Sequence, residues 1–364
     1  MKRLSYILSI LILLFSCNNG NTYKIEGKLS NAENTTLYVI FESSDGNSID
    51  TVNCNEKGNF TISRELNDNI QVVTFFYDNR EQWFTVYPEM GKPVQVKGDA
   101  SYPQLLQIKG GQTNNKLSEF RKKAAVLLKE QVDISNSLTS KGEGTLQYAN
   151  NNLELKRIAQ DFVRKNPKEE ASVILISEYF TLPEELEQTE ELLNLLSPDL
   201  NDFYVVKNLR TQISKAKTTM RGATAPDFKV TNIYGKTITP DSLSNKPFIL
   251  SFTAIWCDLC RTDVMMLNDI ATQYSKDSIE ILLISLDDDI TEIRNRMSQD
   301  SIKWNFVADS AGQAINLFEI YNVNSLPRSF LIDKDRIIRL KTDNGIELKQ
   351  NVDEIMEPPP NPLP

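Results

Sequence analysis

Trp256-Cys257-Asp258-Leu259-Cys260 is the segment whose residue types and spacing could carry covalent chemistry. At the start of a helix, residues i and i+3 have Cβ atoms roughly 5–6 Å apart, near enough for a small adjustment to close a disulfide. The first cysteine, at the helix N-terminus, has its thiolate stabilised by free N–H groups and the macrodipole. A pair that opens and closes, with one nucleophilic sulfur, is what thiol–disulfide exchange requires. Two other roles compete. Zinc wants four ligands, and with no histidine and no second CxxC this pair cannot complete an ordinary site. A purely structural bridge across three residues constrains little chain entropy and so stabilises weakly. Neither a metal nor a cofactor is expected.

The rest of the composition removes whole classes of chemistry. Zero histidines exclude Ser-His-Asp and Cys-His catalysis, HExxH sites and CxxCH haem attachment. A net charge of −9, with no long Lys/Arg cluster, argues against nucleic acid as a partner. With 40% hydrophobic and 24% charged residues in 364, the chain reads as two or three soluble globular domains. The other cysteines, Cys17 and Cys54, lie far from the pair, so the chain is no disulfide-stapled scaffold.

The elements that must position the pair come last in the chain. Phe248–Ala254 reads as a buried strand immediately before it, and Asp263–Tyr274 as a helix after it. An apolar strand at Ile279–Leu286, helices at Asp289–Ser298 and Ala311–Ile320, a hairpin of Ser329–Ile332 with Ile337–Leu340, and a helix at Glu347–Met356 follow. Strands alternating with helices, then a hairpin and helix, indicate a mixed sheet covered on both faces. Asp287-Asp288-Asp289 is expected to begin a helix, since a calcium site would lack a complete ligand loop.

Ahead of this lies a small all-β region. Tyr23–Leu29 alternates with period two and Thr36–Phe41 is a denser β-branched and aromatic run. Ser48–Val52 and Phe60–Ile62, joined through Glu56-Lys57-Gly58-Asn59, read as a hairpin. Strands at Val72–Phe76, Gln82–Tyr87 and Pro93–Lys97 complete it. Phe75, Phe76, Tyr77, Trp83, Phe84 and Tyr87 are expected in its core, with Cys54 as a half-buried strand residue; several of these aromatics exposed on one face would instead suggest a docking surface. From Asn114 the period becomes helical, with Leu117, Phe120, Ala124, Leu127, Leu128, Ile134 and Leu138 in phase. Helices at about Leu146–Lys165 and Glu169–Phe180, then Pro183–Leu196 and Pro198–Lys217, continue it. Glu184, Glu185, Glu187, Glu190 and Glu191 read as a solvated helix face.

At the front, Lys2 and Arg3 precede an apolar run from Leu4 to Phe15, too short to span a membrane at ~20 residues. Leu14-Phe15-Ser16-Cys17 resembles the bacterial lipobox, which implies cleavage before Cys17, a lipid on it, and anchoring in the bilayer. The expected division is a lipoprotein signal peptide over 1–16, a tether over 17–22, a β-rich domain over 23–111, a helical segment over 112–220, an α/β domain over 221–357 and a Pro-rich tail over 358–364.

The segment from about Gly222 to Glu357 resembles the TlpA/ResA-like branch of the thioredoxin family. Ala225-Pro226-Asp227-Phe228, Ile233-Tyr234-Gly235-Lys236, Trp256-Cys257-x-x-Cys260-Arg261 and Leu326-Pro327 with Phe330-Leu331-Ile332-Asp333 carry the likeness in the family's order. The preceding β and helical regions resemble the N-terminal halves of thioredoxin-like lipoproteins. The resemblance implies a thioredoxin-like fold for 221–357 and makes Cys257 the attacking thiol and Cys260 the resolving one. It makes Pro327 a cis-proline facing the pair, Leu326 a residue whose backbone pairs with substrate, and Trp256 a neighbour of the site. Asp258 beside Cys257 should disfavour the thiolate and make the pair more reducing. Asp263 stands where the branch has Glu, Met265 where it has Pro, and Ser251 where thioredoxin has a buried Asp. Arg328 follows Pro327 and either offers charge to an acidic substrate or is simply solvated. Ala254, three residues before Cys257, is not the Thr or Ser a peroxiredoxin needs there.

The function so implied is an envelope, periplasm-facing thiol–disulfide oxidoreductase that reduces protein disulfides and is recharged by a thiol-reducing electron donor in the membrane. The direction of exchange depends on potential, so oxidase or isomerase action stays open. A lipid-anchored binding or assembly protein, with a redox-silent thioredoxin-like domain, is the alternative from another class.

Overall fold

The computed structural model describes residues 22–356, apart from 44–45, 67–69, 79–80, 137–142, 182–184, 244, 290, 293, 296–303 and 310–311. The signal segment, Cys17, Glu184 and the Pro-rich tail lie outside the described residues, as does much of the helix expected over Asp289–Ser298. The chain divides into two compact units, Met1–Leu209 and Arg210–Pro364.

The first unit opens with β1 (Thr22–Ser30), β2 (Thr36–Ser43), β3 (Gly46–Asn53), β4 (Asn59–Glu65), β5 (Val72–Tyr77), β6 (Gln82–Val86), β7 (Val94–Asp99) and β8 (Gln107–Lys109). They form two four-stranded sheets, ordered β4-β1-β7-β8 and β3-β2-β5-β6, around one shared core. The period-two pattern of β1 sends Tyr23, Ile25 and Leu29 inward, as its sequence alternation requires.

The expected hairpin between Ser48–Val52 and Phe60–Ile62 does not form. β3 pairs along β2 and β4 along β1, so the connecting turn carries the chain from one sheet to the other. Asn55 shapes that turn, its Oδ1 accepting the N–H groups of Lys57 and Asn59 at 2.9 Å each. Gly58 has φ +70°, and its carbonyl accepts the Leu29 N–H at 2.9 Å. A Cβ there would stand 1.8 Å from the Leu29 carbonyl oxygen, so only glycine permits the approach. β3 is exposed along nearly its whole length and pairs antiparallel with β2 from Gly46 to Asn53.

The aromatic set also divides. Phe75, Tyr77, Phe84 and Tyr87 are buried, with Phe75 and Phe84 stacked at 4.8 Å. Phe76 and Trp83 are instead cross-strand partners, Tyr38 pairs with Phe76 in turn, and Trp83 is 54% exposed. The alternation of a strand sends adjacent Phe75 and Phe76 to opposite faces, and only one face meets the core. Cys54 is a free thiol buried just beyond the end of β3, rather than half-buried.

Helices α1 (Gln112–Lys123), α2 (Ala125–Asn136), α3 (Glu143–Lys165), α4 (Glu170–Tyr179) and α5 (Leu186–Leu195) follow, and α6 (Tyr204–Lys217) runs across the division. The helical run from Asn114 breaks at Ala124, which caps α1. Phe120 of α1 sets its ring against Phe162 of α3 and Tyr179 of α4, so the phase read from the sequence is the packed face.

The second unit holds β9 (Val230–Thr231), β10 (Thr237–Ile238), α7 (Pro240–Leu243), β11 (Phe248–Thr253), α8 (Cys260–Gln273), β12 (Glu280–Ser285), β13 (Asn305–Val307), α9 (Gln313–Ile320), β14 (Arg328–Ile332), β15 (Ile338–Thr342) and α10 (Gly345–Met356). Its main sheet runs β13-β12-β11-β14-β15, with β11, β12 and β13 parallel and β14 and β15 antiparallel to their neighbours. Every residue of β11 and β12 is buried. That is why both read as near-continuous apolar runs. One face packs Phe252, Phe330, Leu317 and Tyr321, and the other packs Ile249, Leu267, Leu331 and Leu348.

Candidate active site

In an open sheet with parallel strands, sites form in the crevice beyond the strands' carboxyl ends. β11 ends at Thr253, and the chain turns at once: the Cys257 N–H donates to the Ala254 carbonyl at 3.1 Å. Helix α8 begins at Cys260, three residues earlier than the sequence indicated, and so takes the second cysteine into its first turn. Cys257 and Cys260 form a disulfide with Cα atoms 5.3 Å apart. The Cys260 N–H points at the Cys257 sulfur, 3.2 Å away, so a backbone donor already faces the atom that would become a thiolate. Both cysteines are buried, Cys257 somewhat less than Cys260, at 8% and 2% exposed.

Ala254, Leu286 and Leu326 pack around the pair. Leu326 precedes Pro327 through a cis peptide bond, so the structure brings the predicted Leu326-Pro327 step to the cysteines. Trp256 and Asp258 flank Cys257 in the chain and are exposed, together with Leu259. Trp256, expected as a neighbour of the site, stands next to Cys257 and is 69% exposed. Cys17, the predicted lipid-bearing residue, lies outside the described residues.

Behind the cysteines the site is polar and buried. Asp263, one helical turn past Cys260, is 5% exposed and accepts the Gly345 N–H at 3.1 Å through Oδ1. Its Oδ2 has no hydrogen-bond partner. Burial, with help from the nearby Asp343 charge and against the Gly345 N–H, pushes its carboxyl up to about 6. Ser251 on β11 accepts the Ser329 hydroxyl of β14 at 3.0 Å, both fully buried, where the resemblance has an acid in thioredoxin. Arg328 is neither free nor fully solvated, for it donates to Ser325 Oγ at 3.0 Å and stands 3.8 Å from Asp343.

Sequence reasoning missed Gly345, Ser329 and Asp287. Asp287 does not start a helix. Its Oδ2 accepts the Ile255 N–H at 2.7 Å, while Asp289 caps the following turn through the Thr291 and Glu292 N–H groups. The position of Asp287, just past the carboxyl end of β12, was the available signal. Cys54 is no part of the site; burial, then the Glu33 charge, pushes its thiol up to about 11, which makes it a poor nucleophile. Among the described residues no group of three or more Cys, Asp and Glu side chains is arranged to hold a metal ion.

A mixed five-stranded sheet covered on both faces, a CxxC disulfide between β11 and α8, and a cis-proline opening the antiparallel β14 define a thioredoxin-like domain with a thiol–disulfide exchange site. Residues 221–341 match the AhpC/TSA family, and residues 23–117 match a domain of unknown function, DUF4369. The chain is similar to the thiol-disulfide oxidoreductase ResA of Bacillus cereus, 29% identical over 144 residues, which cover 40% of this chain and 81% of that one. The ResA of Bacillus thuringiensis strain Al Hakam is 32% identical over 114 residues, 31% of this chain and 64% of that one. Among solved structures, the C-terminal domain of a putative thiol-disulfide oxidoreductase from Bacteroides thetaiotaomicron aligns at 28% identity with a TM-score of 0.36, covering 38% of this chain and 98% of that one. Residues 221–341 thus form a thioredoxin-like domain similar to those of thiol–disulfide oxidoreductases.

Proposed function

We propose that this protein reduces disulfides of envelope proteins while anchored to a membrane through lipid on Cys17. The observation that carries the reading is the Cys257–Cys260 disulfide at a helix N-terminus, with the Cys260 N–H donating to the Cys257 sulfur. In the dithiol form, the Cys257 thiolate attacks one sulfur of a substrate disulfide. A mixed disulfide forms and the other substrate sulfur leaves, taking a proton. Cys260 then gives its proton to the Asp263 carboxylate and attacks the Cys257 sulfur. The second substrate sulfur leaves as the thiol, taking the proton that Asp263 received, and the Cys257–Cys260 disulfide is restored. A membrane-held dithiol donor returns it to the reduced state. Substrate backbone lies along Leu326-Pro327, with Trp256 and Leu259 giving apolar contact.

One feature supports reduction as the direction. Asp258 stands between the two cysteines in the chain and Asp263 one helical turn past Cys260, and negative charge disfavours the thiolate whose stability makes an oxidant. Among the described residues no helix is long and apolar enough to cross a membrane. The anchor proposed is the lipid on Cys17, which follows the basic and apolar Lys2–Ser16 segment. Trapping tests the reading. In the full-length protein Cys260→Ser should accumulate mixed disulfides through Cys257 that dithiothreitol releases, and adding Cys257→Ser should abolish them. A clean absence of adducts in Cys260→Ser would refute exchange.

A further inference from the structure

We infer that Asp287 is a positioning residue for the Cys257–Cys260 pair, its carboxylate tying the loop that carries Cys257 to the end of β12. β11 and β12 run in register only as far as Thr253 and Ser285. Beyond that ladder the Ile255 N–H, two residues before Cys257, has no strand to bond. Asp287 Oδ2 accepts it at 2.7 Å. The same oxygen accepts the hydroxyl of Ser285, which is fully buried. The Asp287 N–H returns a bond to Ser285 Oγ at 3.2 Å, and the Asp287 carbonyl accepts the Asp309 N–H at 2.9 Å. The carboxylate is thus held from its own backbone and from β12. Between Ser285 and Asp287, Leu286 donates its N–H to the Thr253 carbonyl and packs against the cluster of Ala254, Cys257 and Cys260. The segment from Ser285 to Asp287 therefore holds the backbone before Cys257 and packs against the cluster that contains the pair.

The chemical consequence follows from ring closure. Formation of the disulfide depends on the effective concentration at which Cys260 meets Cys257, and holding reacting atoms in place raises that quantity. Releasing the Ile255 N–H loosens Cys257 relative to the rigid start of α8 and lowers it. The pair then favours the dithiol and becomes less reducing. An anion is suited to the task because a charged acceptor makes the stronger hydrogen bond.

The inference rests on the exchange reading of the site, so its test uses an equilibrium that needs no protein substrate. The full-length protein is equilibrated with glutathione buffers and the dithiol and disulfide forms are quantified. Asp287→Ala should move the equilibrium about tenfold toward the dithiol, which is ~30 mV for a two-electron couple. Asp287→Asn keeps an oxygen acceptor and should stay within about threefold of the parent. Ser285→Ala removes one of the two hydrogen bonds to the carboxylate and should move about threefold in the direction of Asp287→Ala. The Ser285→Ala result carries the test if Asp287→Ala fails to fold. Equal shifts for Asn and Ala would make the effect one of charge and overturn the positioning role. So would an Asp287→Ala variant indistinguishable from the parent. If this ranking holds while the parent protein reduces no protein disulfide, the role of Asp287 stands and the proposed function falls.

Discussion

Replacing Asp263 by Asn should change how stability responds to pH, and the sign can be worked out from the site. Asp263 is buried with one oxygen bonded to the Gly345 N–H and the other unpartnered. Burial raises its carboxyl from 3.8 to about 6. A group whose pKa is higher folded than unfolded gives stability that is present at low pH and lost as pH rises toward the folded value. A gap of about two pKa units corresponds to about 3 kcal/mol, lost mainly between pH 4 and 6. Asn has nearly the same shape, keeps an acceptor for Gly345 and cannot ionise. Other carboxylates, such as Asp50 and Asp99, are held low by hydrogen bonds and pull the opposite way, so the quantity to read is a difference. Urea unfolding of the disulfide form should show Asp263→Asn gaining about 2–3 kcal/mol on the parent protein between pH 4 and pH 7. A difference that stays flat across that range, or one that shrinks, would refute the assignment of a raised carboxyl to Asp263.

Ser329→Ala should destabilise the second unit by about 1–3 kcal/mol, because the Ser251 hydroxyl is left buried without its partner; adding Ser251→Ala should recover part of the loss in the same urea titration. Phe252→Ala should cost about 3–5 kcal/mol, since that fully buried ring touches Phe318, Tyr321 and Phe330, and thermal unfolding of the second unit reads it. Cys17→Ala should move the protein from the membrane pellet to the soluble envelope fraction, and mass spectrometry of the parent should find acyl chains on Cys17.

What could be read from the residues in advance was what is local. The CxxC spacing, the buried runs of β11 and β12, and the helical phase of Leu117 and Phe120 depend on neighbours a few positions away. The non-local pairings were not legible. Ile255 and Asp287 are 32 residues apart, Ser251 and Ser329 are 78, and Asp263 and Gly345 are 82. No spacing rule joins them until the sheet is assembled. Val72–Tyr77 is apolar almost throughout, so its alternation carried no sign of which aromatic faced outward. Ser48–Val52 and Phe60–Ile62 had the turn chemistry of a hairpin, yet the close approach of Gly58 to Leu29 sent them to separate sheets. The three consecutive acids Asp287-Asp288-Asp289 looked like a single helix start, whereas the first of them serves the cysteine loop and the third caps the turn.

The most direct test of reductive exchange is the reduction potential of the Cys257–Cys260 pair, measured on the full-length protein against thiol buffers. Carboxylates around the pair predict a value near that of thioredoxin, about −270 mV, or below it. A value near about −120 mV would make the pair an oxidant and contradict the proposed direction, and a disulfide that never opens would contradict exchange altogether.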